Sequence, residues 1–276
     1  MGIDFDITTQ AGWQAALAAL DWQRELGVEE VIGEDPVDAY ALADEAPWRA
    51  AAAVAAPAVA RAPRAVQVPV ALAPSDPVAE AEAAAAGAAT LEELRAALAG
   101  YDHCELKKGA RSLVFGDGLP GARVLVLGEA PGREEDQEGR PFVGRAGQLL
   151  DRMFAAIGLS RSASDPGTAL YITNVSPWRP PANRDPSPEE IAMLRPFMAR
   201  HIALARPEVV VVMGNTPLQA LLGQKGILKA RGIWARALDR AVLPMAHPAY
   251  LLRNPIAKRD AWADLLALRA HLEGRG

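Results

Sequence analysis

Residues able to do chemistry fall at the ends of four apolar runs. The run 123–127 passes into Gly128-Glu129-Ala130-Pro131-Gly132-Arg133-Glu134-Glu135-Asp136, a Gly/Pro loop crowded with carboxylates, and Gly139-Arg140-Pro141-Phe142-Val143-Gly144 follows at once. Asn174, whose amide is donor and acceptor together, lies in the run 170–175. Gly214-Asn215-Thr216 follows the run 208–213, and His247-Pro248 follows 241–245. Taken singly, each has an ordinary role: a histidine before proline is a hydrogen-bonded loop residue, Asn174 a strand cap, Phe142 a core side chain, and Glu134-Glu135-Asp136 a solvated turn. Taken together they share a place. Open parallel sheets bind ligands beyond the carboxyl ends of their strands, so the four segments should converge on one pocket of carboxyl, amide, imidazole and aromatic groups.

The elements that must position these groups are legible in outline. Continuous Val/Ile/Leu runs separated by helical patterning imply a parallel sheet covered on both faces, hence an α/β fold of three layers, α/β/α, around a central, mainly parallel four-stranded sheet. Thr90 and Glu93 form a capping box for a helix carrying Leu91, Leu94 and Leu98, closed by Gly100. Ser187-Pro188-Glu189-Glu190 supplies an N-cap, a proline at N1 and a glutamate at N3, and Pro196 is expected to kink or split that helix. Earlier, residues 10–26 set Trp13, Leu17 and Leu20 on one face of an amphipathic helix that stops at Gly27. Residues 47–88 are dominated by Ala and Pro and read as a semi-extended, mobile linker. The expected organisation is an N-terminal helical segment over 1–46, the linker over 47–88, and a compact body over 89–276.

Composition excludes several classes. Half of the 276 residues are hydrophobic, enough for one substantial core. The single cysteine, Cys104, rules out an internal disulfide and a Cys-rich metal site. No apolar stretch reaches the roughly 18 residues needed to cross a bilayer, and the first residues are acidic where a signal peptide is basic, so a cytoplasmic monomer with no membrane association is expected. Charge is uneven: residues 1–90 hold 14 acidic and 4 basic side chains, residues 91–276 hold 20 and 25. The net +5 of residues 91–276 suits a polyanion but on charge alone reads as ordinary surface charge. The N-terminal helix reads first as cover for an apolar patch of its own domain, with docking of a protein partner on the helix and linker as the alternative.

The quoted motifs carry a resemblance. Gly128-Glu129-Ala130-Pro131-Gly132, Pro141-Phe142-Val143-Gly144, Thr173-Asn174-Val175, Arg179-Pro180-Pro181-Ala182-Asn183-Arg184 and His247-Pro248-Ala249-Tyr250-Leu251-Leu252-Arg253-Asn254-Pro255 resemble, in order and spacing, the motifs of the uracil-DNA glycosylase superfamily, nearest its family 4. The match runs from about residue 101 to the C-terminus and covers none of residues 1–90. It implies a monofunctional glycosylase that hydrolyses the N-glycosidic bond of uracil in single- or double-stranded DNA, in base excision repair, after flipping the base outward. By that resemblance Asn174 reads uracil, Phe142 stacks on it, and His247 donates to uracil O2 as negative charge develops. Glu129 and Glu135 lie beneath the sugar, where they favour positive charge or orient water. Gly128, Ala130, Pro131 and Gly132 line the base site. Leu251, Leu252 and Arg253 match a wedge that fills the space left by the extruded nucleotide. Gly214 and Asn215 offer backbone N–H groups to phosphate, and Arg179, Arg184 and Lys258 are further phosphate candidates.

Two departures stand out. Other branches of the superfamily have an aspartate one residue after Glu129, where this chain has Ala130, so the backbone of 130–132 is an alternative holder of the water. Family 4 also carries an iron–sulfur cluster on four cysteines; here Cys104 matches one, and Tyr101, Trp178 and Leu194 occupy the other three positions. One sulfur cannot build that cage, so no cofactor is expected and apolar packing should fill its place. Alternatives to uracil hydrolysis are a noncatalytic DNA-binding or damage-sensing relative, a glycosylase preferring another deaminated base, and a nucleotide hydrolase using the Gly/Pro loop as a phosphate cradle. The last lacks a Gly-Lys-Ser/Thr element.

Overall fold

The computed structural model describes Thr8, Thr9, Trp13 and residues 76–274. Contacts divide the chain into Met1–Pro69 and Val70–Gly276, and the architecture below belongs to the second unit. Apart from those three residues, the expected N-terminal helix and the linker as far as residue 75 lie outside the described residues.

The rest of the expected linker is a helix. Helix α1 (Pro77–Gly87) starts at Asp76, whose carboxylate accepts from the Val78 N–H at 3.0 Å, with Pro77 at its first turn. Alanine, the strongest helix former, fills its interior, and Ala81 and Ala85 are buried. Its ends are tied down: the Tyr101 hydroxyl donates to the Pro77 carbonyl at 2.7 Å, and the Arg200 guanidinium donates to the Ala88 carbonyl. Residues 76–88, expected as the end of the linker, are therefore packed onto the compact body. Helices α2 (Leu91–Gly100) and α3 (Leu106–Gly109) complete this first group, and Thr90 caps α2 by accepting from the Glu93 N–H at 3.1 Å.

The sheet follows. Strands β1 (Asp117–Gly118) and β2 (Val124–Gly128) lead into helices α4 (Arg133–Glu138) and α5 (Arg145–Ala155), then β3 (Leu170–Asn174) and the long helix α6 (Pro188–Ala205). Next come β4 (Val209–Met213), α7 (Asn215–Leu222), α8 (Ile227–Ala230), the hairpin β5 (Ala235–Ala237) and β6 (Arg240–Met245), α9 (Pro248–Arg253) and α10 (Lys258–Leu272). The order is β1-β3-β2-β4-β6-β5; β3, β2, β4 and β6 are parallel, and the two edges are antiparallel. The four parallel strands are those expected from the apolar runs. The two edge strands were not, because a two-residue and a three-residue strand carry no apolar run.

Alternating side chains build two cores, one on each sheet face. Leu125, Leu127, Val210 and Val212 meet Met198 and Ile202 of α6 and Leu218 of α7. Val124, Val126, Val209 and Val211 meet Leu150 and Phe154 of α5 and Leu265 and Leu268 of α10. The α1–α3 group packs on the outer side of α6 through Leu94, Leu98, Leu194 and Phe197. Ser187 and Glu190 close a reciprocal capping box at the start of α6, and the helix runs unsplit through Pro196. Among the described residues no helix is long and apolar enough to cross a membrane.

Candidate active site

The carboxyl ends of the four parallel strands open on one cavity of about 760 Å³. Four segments meet there: Glu129 to Gly132 after β2, Asn174 ending β3, Gly214 and Asn215 after β4, and His247 after β6. Phe142, from the loop between α4 and α5, forms part of the wall.

Close approach dictates Gly128. Any side chain there would collide with Asn174 Oδ1 and the Phe142 ring, so β2 can pass beneath them only as glycine. Asn174 is buried, and its amide, without a partner among the described residues, opens on the cavity. On the far side Gly214 holds φ of 108°, a conformation that disfavours other residues, and faces His247 and Glu129. The Phe142 and His247 rings stack, 5.5 Å between centroids and 29° between planes.

His247 is fixed in tautomer and charge. It caps α9, where the Ala249 N–H donates to Nδ1 at 3.1 Å, so the ring proton sits on Nε2. Burial, and then the positive charge of Arg253, press its pKa down to about 4 against the opposing Glu135 carboxylate. At neutral pH it is an uncharged donor.

The two candidate carboxylates differ. Glu135 is saturated: Oε2 accepts from the Gly132 N–H at 3.1 Å, and Oε1 accepts from the Val143 and Gly144 N–H groups, both at 3.0 Å. It splices the loop after β2 to the loop bearing Phe142. Glu129 is the chemically available one. Burial first, and then the adjoining Asp185 carboxyl, raise its pKa to about 7 against a hydrogen bond with Thr216.

Several expected contacts take other places. Leu251 is 0% exposed, packed with Leu149, Ala246 and Ala261, so it has no surface with which to enter a groove; Leu252 is half-buried against the same cluster. Arg253 lines the cavity and is exposed. Asn215 spends its side chain on structure, Oδ1 accepting from the Gly226 and Ile227 N–H groups at 3.2 and 2.9 Å. Arg179 donates to Asn183 Oδ1 at 2.8 Å and, like exposed Lys258, lies outside the cavity wall. Arg184 reaches the wall while paired to Glu190 at 2.7 Å. Asp185, Tyr250 and Leu228 also line the cavity; Tyr250 belongs to a quoted motif without a role, and sequence reasoning singled out neither Asp185 nor Leu228. No periodicity marks them. Asp185 arrives on an irregular segment, and Leu228 and Tyr250 on the short helices α8 and α9.

The four positions that match the cluster cysteines do converge. Tyr101, Cys104, Trp178 and Leu194 are all buried in one apolar core with Leu94, Leu98 and Phe197, and Tyr101 meets Phe197 edge-on at 5.2 Å. Burial raises the lone thiol's pKa. These residues do not fit an iron–sulfur cluster, which needs a cage of thiolates.

Comparison with known proteins agrees with this geometry. A family model described as "Uracil DNA glycosylase superfamily" matches residues 115–266, spanning every cavity segment above. The chain is 35% identical over 190 residues to a type-4 uracil-DNA glycosylase of Sulfurisphaera tokodaii, covering 65% of this chain and 84% of that protein. It is 41% identical over 154 residues to a type-4 uracil-DNA glycosylase of Thermotoga maritima, covering 55% and 77%. A type-5 uracil-DNA glycosylase of Thermus thermophilus matches at 37% over 126 residues, covering 42% and 56%. The chain belongs to the uracil DNA glycosylase superfamily.

Proposed function

We propose that this protein is a uracil-DNA glycosylase of the type-4 kind that has exchanged its cluster for apolar packing, and that it hydrolyses the N-glycosidic bond of uracil in DNA during base excision repair. The observation that supports this reading most is the single cavity shared by Asn174, Phe142 and His247. A uracil extruded onto the Phe142 face would present O4 and N3–H to the Asn174 amide, a pattern that cytosine reverses. Neutral His247 would aim Nε2–H at O2, where charge collects as the bond lengthens; one such preorganised donor accounts for roughly 10²–10³ in rate.

The bond between C1′ and N1 breaks with its electron pair leaving on uracil. Water adds to C1′, giving up a proton to the Glu129 carboxylate or to solvent, while the negative charge favours the electron-poor sugar. Arg253, Arg179, Lys258 and the N–H groups at the start of α7 are the proposed phosphate contacts. Tyr101, Cys104, Trp178 and Leu194 take no part in the reaction.

A noncatalytic uracil-DNA binder is the second reading, favoured by Ala130 and by the saturation of Glu135. Incubation of the protein with oligonucleotides bearing uracil, hypoxanthine or mismatched thymine, single- and double-stranded, separates the two. Free uracil and abasic sites are expected. Binding to uracil DNA without release would support the second reading.

A further inference from the structure

The Phe142 plate is held in an unfavourable backbone conformation. Its φ is 53°, in the left-handed region that a bulky residue rarely adopts, so neighbours must over-determine it. From one side Glu135 gathers the Val143 and Gly144 N–H groups. From the other, the Arg161 guanidinium gathers the carbonyls: Nη1 donates to Pro141 O at 2.8 Å and Nη2 to Phe142 O at 2.9 Å. The same fork is anchored to the body, Nε donating to Asp151 Oδ1 of α5 at 2.8 Å and Nη1 to Asp117 Oδ2 of β1 at 3.0 Å. Arg161 itself is fixed by its neighbour Ser160, whose carbonyl accepts from the Leu170 N–H at 3.0 Å at the start of β3. Its side chain is only 13% exposed and does not line the cavity.

We infer that Arg161 is a positioning residue that sets the Phe142 ring at the angle a flipped base requires, tying it to α5 and to the edge of the sheet. The inference rests on the reading of Phe142 as the stacking face. A planar fork spans two successive carbonyls and two carboxylates at once, whereas an ammonium makes a point contact and leaves some of these partners unpaired. Small misplacement of a positioning group costs up to about 100-fold in rate.

The test is a double-mutant cycle in kcat/KM on a uracil oligonucleotide, with melting temperature measured for every variant. Arg161→Gln is expected to lower kcat/KM about tenfold or more in the wild-type background and less than about twofold in Phe142→Ala, because the plate it sets is then absent. Arg161→Lys, which keeps the charge and the fold, is expected to restore little. Equal losses in both backgrounds, or full activity in Arg161→Lys, would overturn the inference by showing a general structural or purely electrostatic role. Phe142→Ala with undiminished turnover would reject the stacking face itself; Phe142→Ala impaired beside an unimpaired Arg161→Gln would reject the brace alone.

Discussion

Phe142 and His247, more than a hundred positions apart in sequence, stack at 5.5 Å with their planes 29° apart. The pair forms one corner of the cavity, with the aromatic face beside the Nε2–H donor. On the proposed reading, a base resting on the first would come within reach of the second, so one contact would set both stacking and leaving-group stabilisation.

Asn174→Ala is expected to lower kcat/KM on uracil DNA by roughly 10²-fold or more with little change in melting temperature. The amide makes no bond that the fold needs, so its loss should be read in recognition and not in stability. Steady-state kinetics beside calorimetry checks both halves.

Activity should rise with pH through about 7 as Glu129 ionises, while His247, already neutral, contributes no titration there. Glu129→Gln should be slow and flat across the same range. Stability moves the other way. A carboxyl that holds its proton more tightly when folded stabilises at low pH and loses that contribution as pH rises from about 4.5 to about 7. Glu129→Gln should therefore gain in melting temperature relative to wild type between pH 5 and pH 8. His247, with its folded pKa lowered to about 4 from 6.5, stabilises above the upper value and loses that contribution as pH falls toward the lower.

Glu135→Ala would leave three N–H groups of two loops without their acceptor, and each buried orphan costs about 1–3 kcal/mol. A fall in melting temperature together with lost activity is expected. Glu129→Ala, by contrast, should cost activity without a comparable loss of stability.

Trp178→Ala should destabilise by about 3–5 kcal/mol, the cost of a large cavity in the core formed with Leu194 and Phe197, while Cys104→Ala should be milder. Protein purified anaerobically should carry no stoichiometric iron. Metal analysis and denaturant unfolding measure these outcomes.

Much of the fold was legible because the physics that forms it is local. Val124–Gly128 and Val209–Met213 are buried along their whole lengths, and such strands must be written as continuous apolar runs. Helix α1 was not legible: alanine makes a good helix yet lacks the large apolar spacing by which helices are recognised, and the surrounding Pro-rich composition pointed to a linker. Asn174, Phe142 and His247 could be read from their places after strands or in loops at the same sheet edge. Leu251, taken from the resemblance as part of a wedge, is buried in the structure, because a motif match does not say which side of the six-residue helix α9 faces inward. Arg161 and Asp185 left no trace, one acting through backbone carbonyls and the other arriving on an irregular segment.

The most direct test is a crystal structure of the protein with uracil bound. The ring is expected flat on Phe142, with O4 and N3–H on the Asn174 amide and O2 within hydrogen-bond reach of His247 Nε2. Uracil seated elsewhere, or in the cavity without contact to Asn174, would contradict the account.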